Sequence, residues 1–386
     1  MADTRHLNDA DSPWTEDPRE VLRADPGFDL AAMNRRGKPG FAGKKSDGRA
    51  FAKARGPLLA ELQERLYADG RAGGSRSVLC VVQGLDTAGK GGVARHVMSL
   101  VDPQGVALSA FGPPTEEELA HHYLWRIKKQ LPPPGKIGVF DRSHYEDVLV
   151  ARVERLVPKK EWEPRFDEIN DFEKRLVDSG TVVLKFALMV SHDEQGVRLM
   201  ERLDRPDKYW KFSESDLATR AKWNDYQRAY QDVFARTSTE HAPWHVIPAD
   251  RKWYSRAAVL EILTRTLVDL DLHWPVPDWD PADMRPRLAE LMSVNALETS
   301  LEETRENVRG ALDDVLTTRR KSVAVDFDGE DDPVELAEAQ VELAEVDVLK
   351  ARWLADLAKT QRQKRELVKQ ARERDESTND ADAEAP

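Results

Sequence analysis

The sequence has little cysteine and no long apolar run, and both facts narrow the class of protein. Its 386 residues include one cysteine, Cys80, so a disulfide framework or a cysteine-based metal cluster is excluded. No apolar stretch reaches the length that crosses a bilayer, and the polar N-terminus lacks the apolar core of a signal peptide. We therefore expect a cytoplasmic protein that does not bind a membrane.

An excess of positive charge is also lacking. The chain carries 58 Lys and Arg against 70 Asp and Glu, which gives a net charge of −12. This balance argues against a protein that coats nucleic acid, although it leaves room for local basic clusters. We expect no nucleic-acid partner.

The stretch from Ser77 to Gly92 predicts a phosphate-binding P-loop. The apolar, β-branched run Val78–Val82 is typical of a buried parallel strand, and a glycine-rich turn leads from Gly84 into a helical pattern. Glycines allow backbone N–H groups to face an anion at a helix N-terminus, and Lys90 follows Gly89 at the spacing that reaches the terminal phosphates. The alternative is a tight strand-to-helix turn that binds no ligand.

Two features of this loop depart from the usual pattern. Gly91 follows the lysine, so the Ser or Thr hydroxyl that normally binds magnesium is missing. Asp86 lies inside the loop, where its carboxylate would repel phosphates unless a cation lay between them. Asp86 is therefore a candidate metal ligand, and the alternative is a helix-capping Asp.

A second apolar strand, Ile137–Asp141, ends in a carboxylate. This is where a Walker-B acid belongs, at the C-terminal edge of a parallel sheet. The helix expected after it contains residues 142–147, with Arg142, Glu146 and another acid in its first turns. Next to a P-loop, this cluster favours magnesium and phosphate binding over a simple capping and salt-bridge cluster.

A basic, aromatic and proline-broken segment at about 202–216 is typical of a lid. Its basic residues include Lys208 and Lys211, next to Trp210, and it ends at a helix-capping pattern. Such a segment can close over phosphates and exclude water. The alternative is a surface loop in which cations stack on Trp210.

Alternating strands and helices predict an α/β fold, with a parallel sheet covered by helices on both faces. Further strands are expected at 106–111, 181–190 and 241–250, and single helices at 115–130, 162–177 and 217–236. The expected organisation is a polar, partly basic N-terminal arm (1–50), a P-loop domain (51–280), a helical hairpin or coiled-coil extension (281–374) and an acidic disordered tail (375–386).

Four motifs together resemble the second polyphosphate kinase family, which uses inorganic polyphosphate to phosphorylate nucleotides. They are Gly84–Gly92, Phe140–Asp147, Pro206–Ser213 and Ala242–Trp253. The resemblance runs from about residue 51 to residue 274 and implies a P-loop kinase-like fold with a helical lid. It does not cover the helical extension.

The resemblance also implies roles for individual residues. Asp86 and Asp141 would bind magnesium, for which manganese could substitute, and Lys90 and Arg142 would contact phosphates in catalysis. Glu146 is the candidate on the nucleotide side. The phosphate- and polyphosphate-binding residues implied are Gly84, Gly89, Lys90, Gly91, Arg142, Arg202, Lys208 and Lys211.

The implied function is magnesium-dependent transfer of a phosphoryl group from polyphosphate to a nucleoside mono- or diphosphate (AMP/ADP or GMP/GDP), reversible in principle. The motif wording is similar to the subgroup that accepts both, although Asp141 stands where that subgroup usually has Asn. Two alternatives are an ATP-dependent P-loop kinase of a small metabolite and a polyphosphate-binding scaffold. The implied partners are polyphosphate, nucleotides and further copies of the chain, as a dimer or tetramer.

Overall fold

The computed structural model describes residues 12–323, 351–352 and 354–374. The chain divides into two compact units, one running to Pro275 and the other beginning at Val276. The start of the predicted arm, most of the second predicted helical run and the predicted acidic tail lie outside the described residues. Each unit is described by itself below.

A five-stranded parallel sheet forms the centre of the N-terminal unit. Its strands lie in the order β2-β3-β1-β4-β5. Their bounds are β1 (Ser77–Gln83), β2 (Val106–Ala110), β3 (Ile137–Asp141), β4 (Thr181–Met189) and β5 (Trp244–Pro248). All seven residues of β1 are buried because β1 lies between β3 and β4, with helices on both faces.

The helices alternate with the strands, as the sequence pattern predicts. Those of the N-terminal unit are α1 (Pro18–Val21), α2 (Lys45–Arg71), α3 (Lys90–His96), α4 (Glu116–Leu119), α5 (Leu124–Lys129), α6 (Glu146–Val153), α7 (Lys159–Trp162), α8 (Arg165–Asp178), α9 (His192–Asp204), α10 (Glu214–Ala221), α11 (Trp223–Thr237) and α12 (Lys252–Asp269). A short 3₁₀ helix at Pro206–Lys211 lies between α9 and α10.

Two hydrophobic layers cover the two faces of the sheet. Val78, Cys80 and Val82 of β1 belong to the layer that also contains residues of α2, α3 and α12. Leu79 and Val81 belong to the opposite layer, with residues of α6, α8 and α11. This alternation follows the two-residue period of a strand, and it confirms the expected α/β fold with both faces covered.

The structure corrects the bounds of three predicted helices. The segment 115–130 forms α4 and α5 with a turn at residues 120–123, and the helix predicted at 162–177 begins only after Pro164, as α8. Proline has no N–H for a continuing helix but fits at a helix start. The segment 217–236 is interrupted at Lys222, between α10 and α11.

The described part of the N-terminal arm packs against the sheet edge. The backbone N–H of Ala24 donates to the carbonyl of Trp244 (2.8 Å), and that of Val246 donates to Leu22 (2.7 Å). Trp14 is buried, and its ring lies edge-on to that of Phe41 at 5.0 Å. These contacts cover the outer edge of β5, whose backbone N–H and C=O groups would otherwise be exposed.

The C-terminal unit is helical in its described part. It contains α13 (Pro281–Ala289), α14 (Val294–Val323) and a helix over residues 354–374. Leu297, Val368 and Ala371 are buried together, and Lys364 donates to Ser300 Oγ at 2.7 Å. The C-terminal helix therefore packs against α14, and the expected helical extension is present. None of the described helices of the chain is long and apolar enough to cross a membrane.

The end of α2 gives a stability prediction. A Cβ on Gly70 would lie 2.5 Å from Gly135 Cα and 2.7 Å from the carbonyl oxygen of Pro134, so backbone would have to move. Gly70→Ala should lower the free energy of unfolding by about 1–3 kcal/mol, as overpacking does. The measurement is urea unfolding followed by circular dichroism.

Gly56→Ala is the matched control within the same helix. Its new Cβ would meet only the side chain of Leu100, at 3.4 Å, which is ordinary contact. Alanine favours helix, but Pro57 follows and its ring crowds the Cβ of a preceding helical residue, so this variant should stay within about 1 kcal/mol of wild type. Equal losses in the two variants would contradict the steric explanation.

Candidate active site

The candidate site lies where β1 and β3 end side by side. Val82 pairs with Asp141, so both strands finish at the same edge of the sheet. The chain then continues into α3 on one face and α6 on the other. A crevice opens at such a point, and in α/β sheets this is where ligands bind.

The loop from Gly84 to Gly89 connects β1 to α3, and we call it the glycine loop. Gly84 has φ +156°, and a Cβ there would lie 2.8 Å from the carbonyl oxygen of Leu188, so only glycine fits. Lys90 is the first residue of α3, and its Nζ donates to the carbonyl of Gly84 at 2.6 Å. The ammonium therefore lies over the loop, as the sequence predicts for a phosphate contact. Gly91 lies beside it, and a Cβ there would meet no atom within 4 Å.

Asp86 forms an ion pair with Arg142, the residue that follows β3. The Arg142 Nη2 donates to Asp86 Oδ1 at 3.1 Å, and Nη1 lies 4.0 Å from Glu146 Oε2. Burial opposes the charge on Arg142, but Glu146, Asp86 and Asp141 outweigh it and raise the pKa of the guanidinium. The structure thus joins two predicted site residues from neighbouring strand ends, and Asp86 does not cap α3.

Arg142 adopts an unusual backbone conformation. Its φ is +65°, in the left-handed region that non-glycine residues rarely occupy. The sequence predicts Arg142 within the first turn of a helix, but α6 begins only at Glu146. Residues 142–145 instead form a turn, the β3–α6 turn, which directs the arginine towards the glycine loop. Such strain is found most often at functional sites.

Glu146 lies next to this ion pair. Burial raises the pKa of its carboxyl group, while Arg142 and Lys90 act in the opposite direction. With the Gln83 amide oriented to satisfy both of its ends, its nitrogen donates to Glu146 Oε1 at 2.9 Å and its oxygen accepts from Ser143. Glu146 is therefore fixed to the end of β1, close to the positive charges of the site.

Asp141 differs from its neighbours because its carboxylate is unpaired. It is half-buried at the end of β3, and among the described residues it has no hydrogen bond or ion pair through its side chain. Within the described residues no three acidic, histidine or cysteine side chains converge as a metal site. Any divalent cation here would need ligands besides protein carboxylates.

Asp216 is a site residue that the sequence pattern does not predict. It accepts from Arg202 Nη1 at 3.0 Å and lies close enough to Asp86 for the two carboxylates to repel each other. Burial raises the pKa of the Asp216 carboxyl, and the negative charge of Asp86 adds to this effect. In the sequence Asp216 appears only as part of the cap formed with Ser213, which has an ordinary structural explanation.

Arg198 was also missed, and it ties the glycine loop to the lid helix α9. It is 4% exposed, and its guanidinium donates to the carbonyls of Thr87 (2.9 Å) and Ala249 (2.7 Å). Gln195 on the same helix donates to the carbonyl of Asp86 at 3.2 Å. The polar residues of an amphipathic helix are ordinarily read as its solvent face, so the sequence gives no signal for either contact.

The predicted lid residues lie on α9 and the 3₁₀ helix that follows. Arg202 donates to the carbonyl of Lys211 at 2.7 Å as well as to Asp216, and Lys208 forms an ion pair with Glu201. The Lys211 ammonium lies 4.9 Å from the ring centre of Trp210, which is 78% exposed. No residue of this 3₁₀ helix is buried. The segment therefore has few contacts that would keep it in one position.

Known proteins resemble this chain over more than half of its length. An AMP/ADP-polyphosphate phosphotransferase of Meiothermus ruber is 50% identical over 220 residues, 57% of this chain and 81% of that protein. An ADP-polyphosphate phosphotransferase of Rhodopseudomonas palustris is 41% identical over 229 residues, 56% of this chain and 78% of that protein.

Solved structures and a family model agree with these relatives. The crystal structure of polyphosphate kinase 2 from Arthrobacter aurescens matches with a TM-score of 0.70 and 50% identity, over 72% of this chain and 98% of that one. The family model described as polyphosphate kinase 2 matches residues 43–273, which contain the glycine loop, the β3–α6 turn and the lid. The chain therefore belongs to the polyphosphate kinase 2 family of transferases.

Proposed function

We propose that this protein transfers the terminal phosphoryl group of inorganic polyphosphate to AMP or ADP. The observation that carries the proposal is the pairing of Asp86, inside the glycine loop, with Arg142 at the end of the next strand. The four motifs that carry the resemblance all lie in the region matched by the family model. An ATP-dependent metabolite kinase and a non-catalytic scaffold are not favoured, because the similar proteins are named as polyphosphate phosphotransferases.

The reaction needs groups that position phosphates and neutralise charge. An oxygen of the acceptor's terminal phosphate attacks the terminal phosphorus of the polyphosphate chain. The P–O bond to the next phosphate breaks, its electron pair stays with the shortened chain, and AMP becomes ADP or ADP becomes ATP. Lys90 and Arg142 both contact the glycine loop, and we assign them to the negative charge on the transferring group.

The carboxylates fit a magnesium ion that is also bound by phosphates. Magnesium prefers oxygen ligands and commonly takes one or two carboxylates together with substrate phosphates. Among the described residues the Asp141 side chain makes no hydrogen bond or ion pair, so its oxygens are available to a cation. We propose that Asp86 and Asp141 bind the ion together with phosphate oxygens, and that the ion would neutralise charge on the phosphates.

The lid supplies positive charge for the donor. We assign Arg202, Lys208 and Lys211 to polyphosphate and Glu146 to the acceptor side of the crevice. Each lid cation now rests on an acid, a carbonyl or an aromatic ring, and these contacts can be exchanged for phosphate oxygens. Closure of the lid would also exclude water from the phosphates.

The choice of acceptor is tested by a direct assay. Polyphosphate and magnesium are supplied with AMP, ADP, GMP or GDP, and the nucleotide products are separated by chromatography. We expect ADP and ATP from the adenine nucleotides, because the Meiothermus relative is named for AMP and ADP. If ATP were the only phosphoryl donor that the protein used, with another metabolite as the acceptor, the proposal would be contradicted. Cytoplasmic localisation and a homo-oligomeric state remain predictions.

The metal assignment predicts the effect of removing a single carboxylate. Asp86→Asn and Asp141→Ala should each lower kcat by at least about a hundredfold, because transition-state charge on the phosphates loses several kcal/mol of stabilisation. The measurement is kcat at saturating polyphosphate and AMP over a range of magnesium concentrations. Asp178→Asn, an exposed carboxylate of α8, is the control and should keep its activity. Near-native turnover in Asp86→Asn would contradict the assignment of Asp86 as a magnesium ligand.

The lid assignment predicts a selective loss of donor affinity. Lys211→Ala should raise KM for polyphosphate by about threefold to tenfold with little change in KM for AMP, a loss typical of one exposed charge–phosphate contact. Wild-type KM for polyphosphate should rise steeply with salt, and less steeply in the variant. Lys174→Ala, which removes another exposed lysine, serves as the control. Equal changes for both substrates would contradict a role in donor binding.

The position of the site predicts what a truncation does. All the residues assigned above precede Pro275, and the Arthrobacter structure is matched over 98% of its length. A chain that ends at Asp280 should therefore keep phosphoryl transfer from polyphosphate. Light scattering on the full and truncated chains would show whether assembly depends on the C-terminal unit. A folded but inactive truncation would place part of the working site after residue 280.

A further inference from the structure

The β3–α6 turn is fixed by an unusual run of buried polar residues. Ser143, His144 and Tyr145 follow Arg142 directly, and each is 0% exposed. Three consecutive fully buried side chains in a turn, each with a polar atom, need partners inside the protein. The Ser143 hydroxyl finds its partner in Gln83 at the end of β1, at 2.9 Å.

His144 and Tyr145 both bind one buried carboxylate on α8. His144 Nε2 lies 3.1 Å from Glu173 Oε1, and the Tyr145 hydroxyl donates to the same oxygen at 2.8 Å. Glu173 is 0% exposed, and Lys185 Nζ donates to its other oxygen at 2.6 Å. Burial opposes ionisation of Glu173, but Lys185 beside it keeps the pKa of the carboxyl below its ordinary value.

Lys185 extends these contacts across the sheet face. It lies on β4, is 0% exposed, and contacts the Tyr145 hydroxyl at 2.9 Å and the carbonyl of Thr237 at 2.6 Å. Trp244 on β5 donates to the Thr237 hydroxyl at 2.9 Å. The buried network of Tyr145, Glu173, Lys185, Thr237 and Trp244 therefore connects the turn to α8, β4, α11 and β5.

A buried ion pair is a poor way to gain stability. Desolvation of two charges offsets much of their attraction, and well-packed apolar residues of similar volume often stabilise a core as well or better. Hydrogen bonds have direction, however, which apolar contacts lack. What this network adds is therefore the orientation of the two residues that it binds in the turn, His144 and Tyr145. They lie between Arg142, with its φ of +65°, and Glu146.

We propose that Lys185, Glu173 and Tyr145 are positioning residues for phosphoryl transfer. Through hydrogen bonds to the β3–α6 turn they keep Arg142 against Asp86 and Glu146 beside both. None of the three touches the crevice, since each is fully buried. They lie on the face of the sheet that α6, α8 and α11 cover. The catalytic consequence rests on the proposed function, whereas the fixing of the turn does not depend on it.

Two variants test the network with little change of shape. Tyr145→Phe removes only the hydroxyl shared by Glu173 and Lys185. Lys185→Met removes the ammonium group but keeps a side chain of similar length. We expect kcat to fall about tenfold in the first and about a hundredfold in the second, the size of loss that small misplacement of catalytic groups causes, with KM for polyphosphate within about twofold. Should Lys185→Met fail to fold, Tyr145→Phe still decides the question.

The control is another buried ion pair far from the turn. Arg55 on α2 pairs with the buried Glu261 on α12 at 2.9 Å, so Arg55→Met removes a cation from a buried carboxylate in the opposite layer, while Arg265 stays paired with it. It should lower the melting temperature without changing kcat. A loss of kcat in all three variants, in proportion to lost stability, would overturn the positioning role.

Hydrogen–deuterium exchange supplies a readout that needs no activity. Amides in the peptide 141–148 should exchange faster in Tyr145→Phe and Lys185→Met than in wild type, and at the wild-type rate in Arg55→Met. Unchanged exchange in both network variants would overturn the proposal. If wild type shows no transfer from polyphosphate, the proposed function fails, while the exchange experiment still decides whether the network fixes the turn.

Discussion

The parallel pairing of β1 with β3 is the constraint on which the whole site depends. Because Val82 lies opposite Asp141, the glycine loop and the β3–α6 turn start at the same height on the sheet. The helices that follow them, α3 and α6, pack on opposite faces of the sheet, and this leaves a crevice between the glycine loop and the β3–α6 turn. The ion pair of Asp86 with Arg142 closes the distance across that crevice. A shift in the pairing of these strands would separate the pair.

The parts of this arrangement that the sequence predicts are local in the chain. Gly84 and Asp141 stand at strand ends marked by runs of apolar residues, and Lys90 begins the helix that follows the glycine turn after the first of these strands. Asp216 and Arg198 could not be found in this way. The glycine-loop residues that they approach, Asp86 and Thr87, lie more than a hundred residues earlier in the chain, and their own neighbourhoods read as a helix cap and an amphipathic helix.

Lys185 is another residue whose partner the sequence does not reveal. It interrupts an apolar strand, and periodicity explains neither its charge nor its burial. Only the fold reveals Glu173, twelve residues earlier on α8, as its partner. Helix boundaries were missed for a related reason. The break at residues 120–123 depends on how successive helices turn to pack on the sheet, which amphipathic spacing alone does not encode, whereas the boundary at Pro164 follows from the proline itself.

The charges of the site are arranged for exchange of partners. Arg142, Arg202 and Lys208 are each paired with a carboxylate, respectively Asp86, Asp216 and Glu201. A phosphate that binds one of these cations must displace an acid, so the net gain per contact is much smaller than the bare attraction. Asp86, once displaced, then needs a cation of its own, which the proposed magnesium ion would supply. Donor, metal and lid closure would in that case be coupled, because each satisfies charges that another sets free.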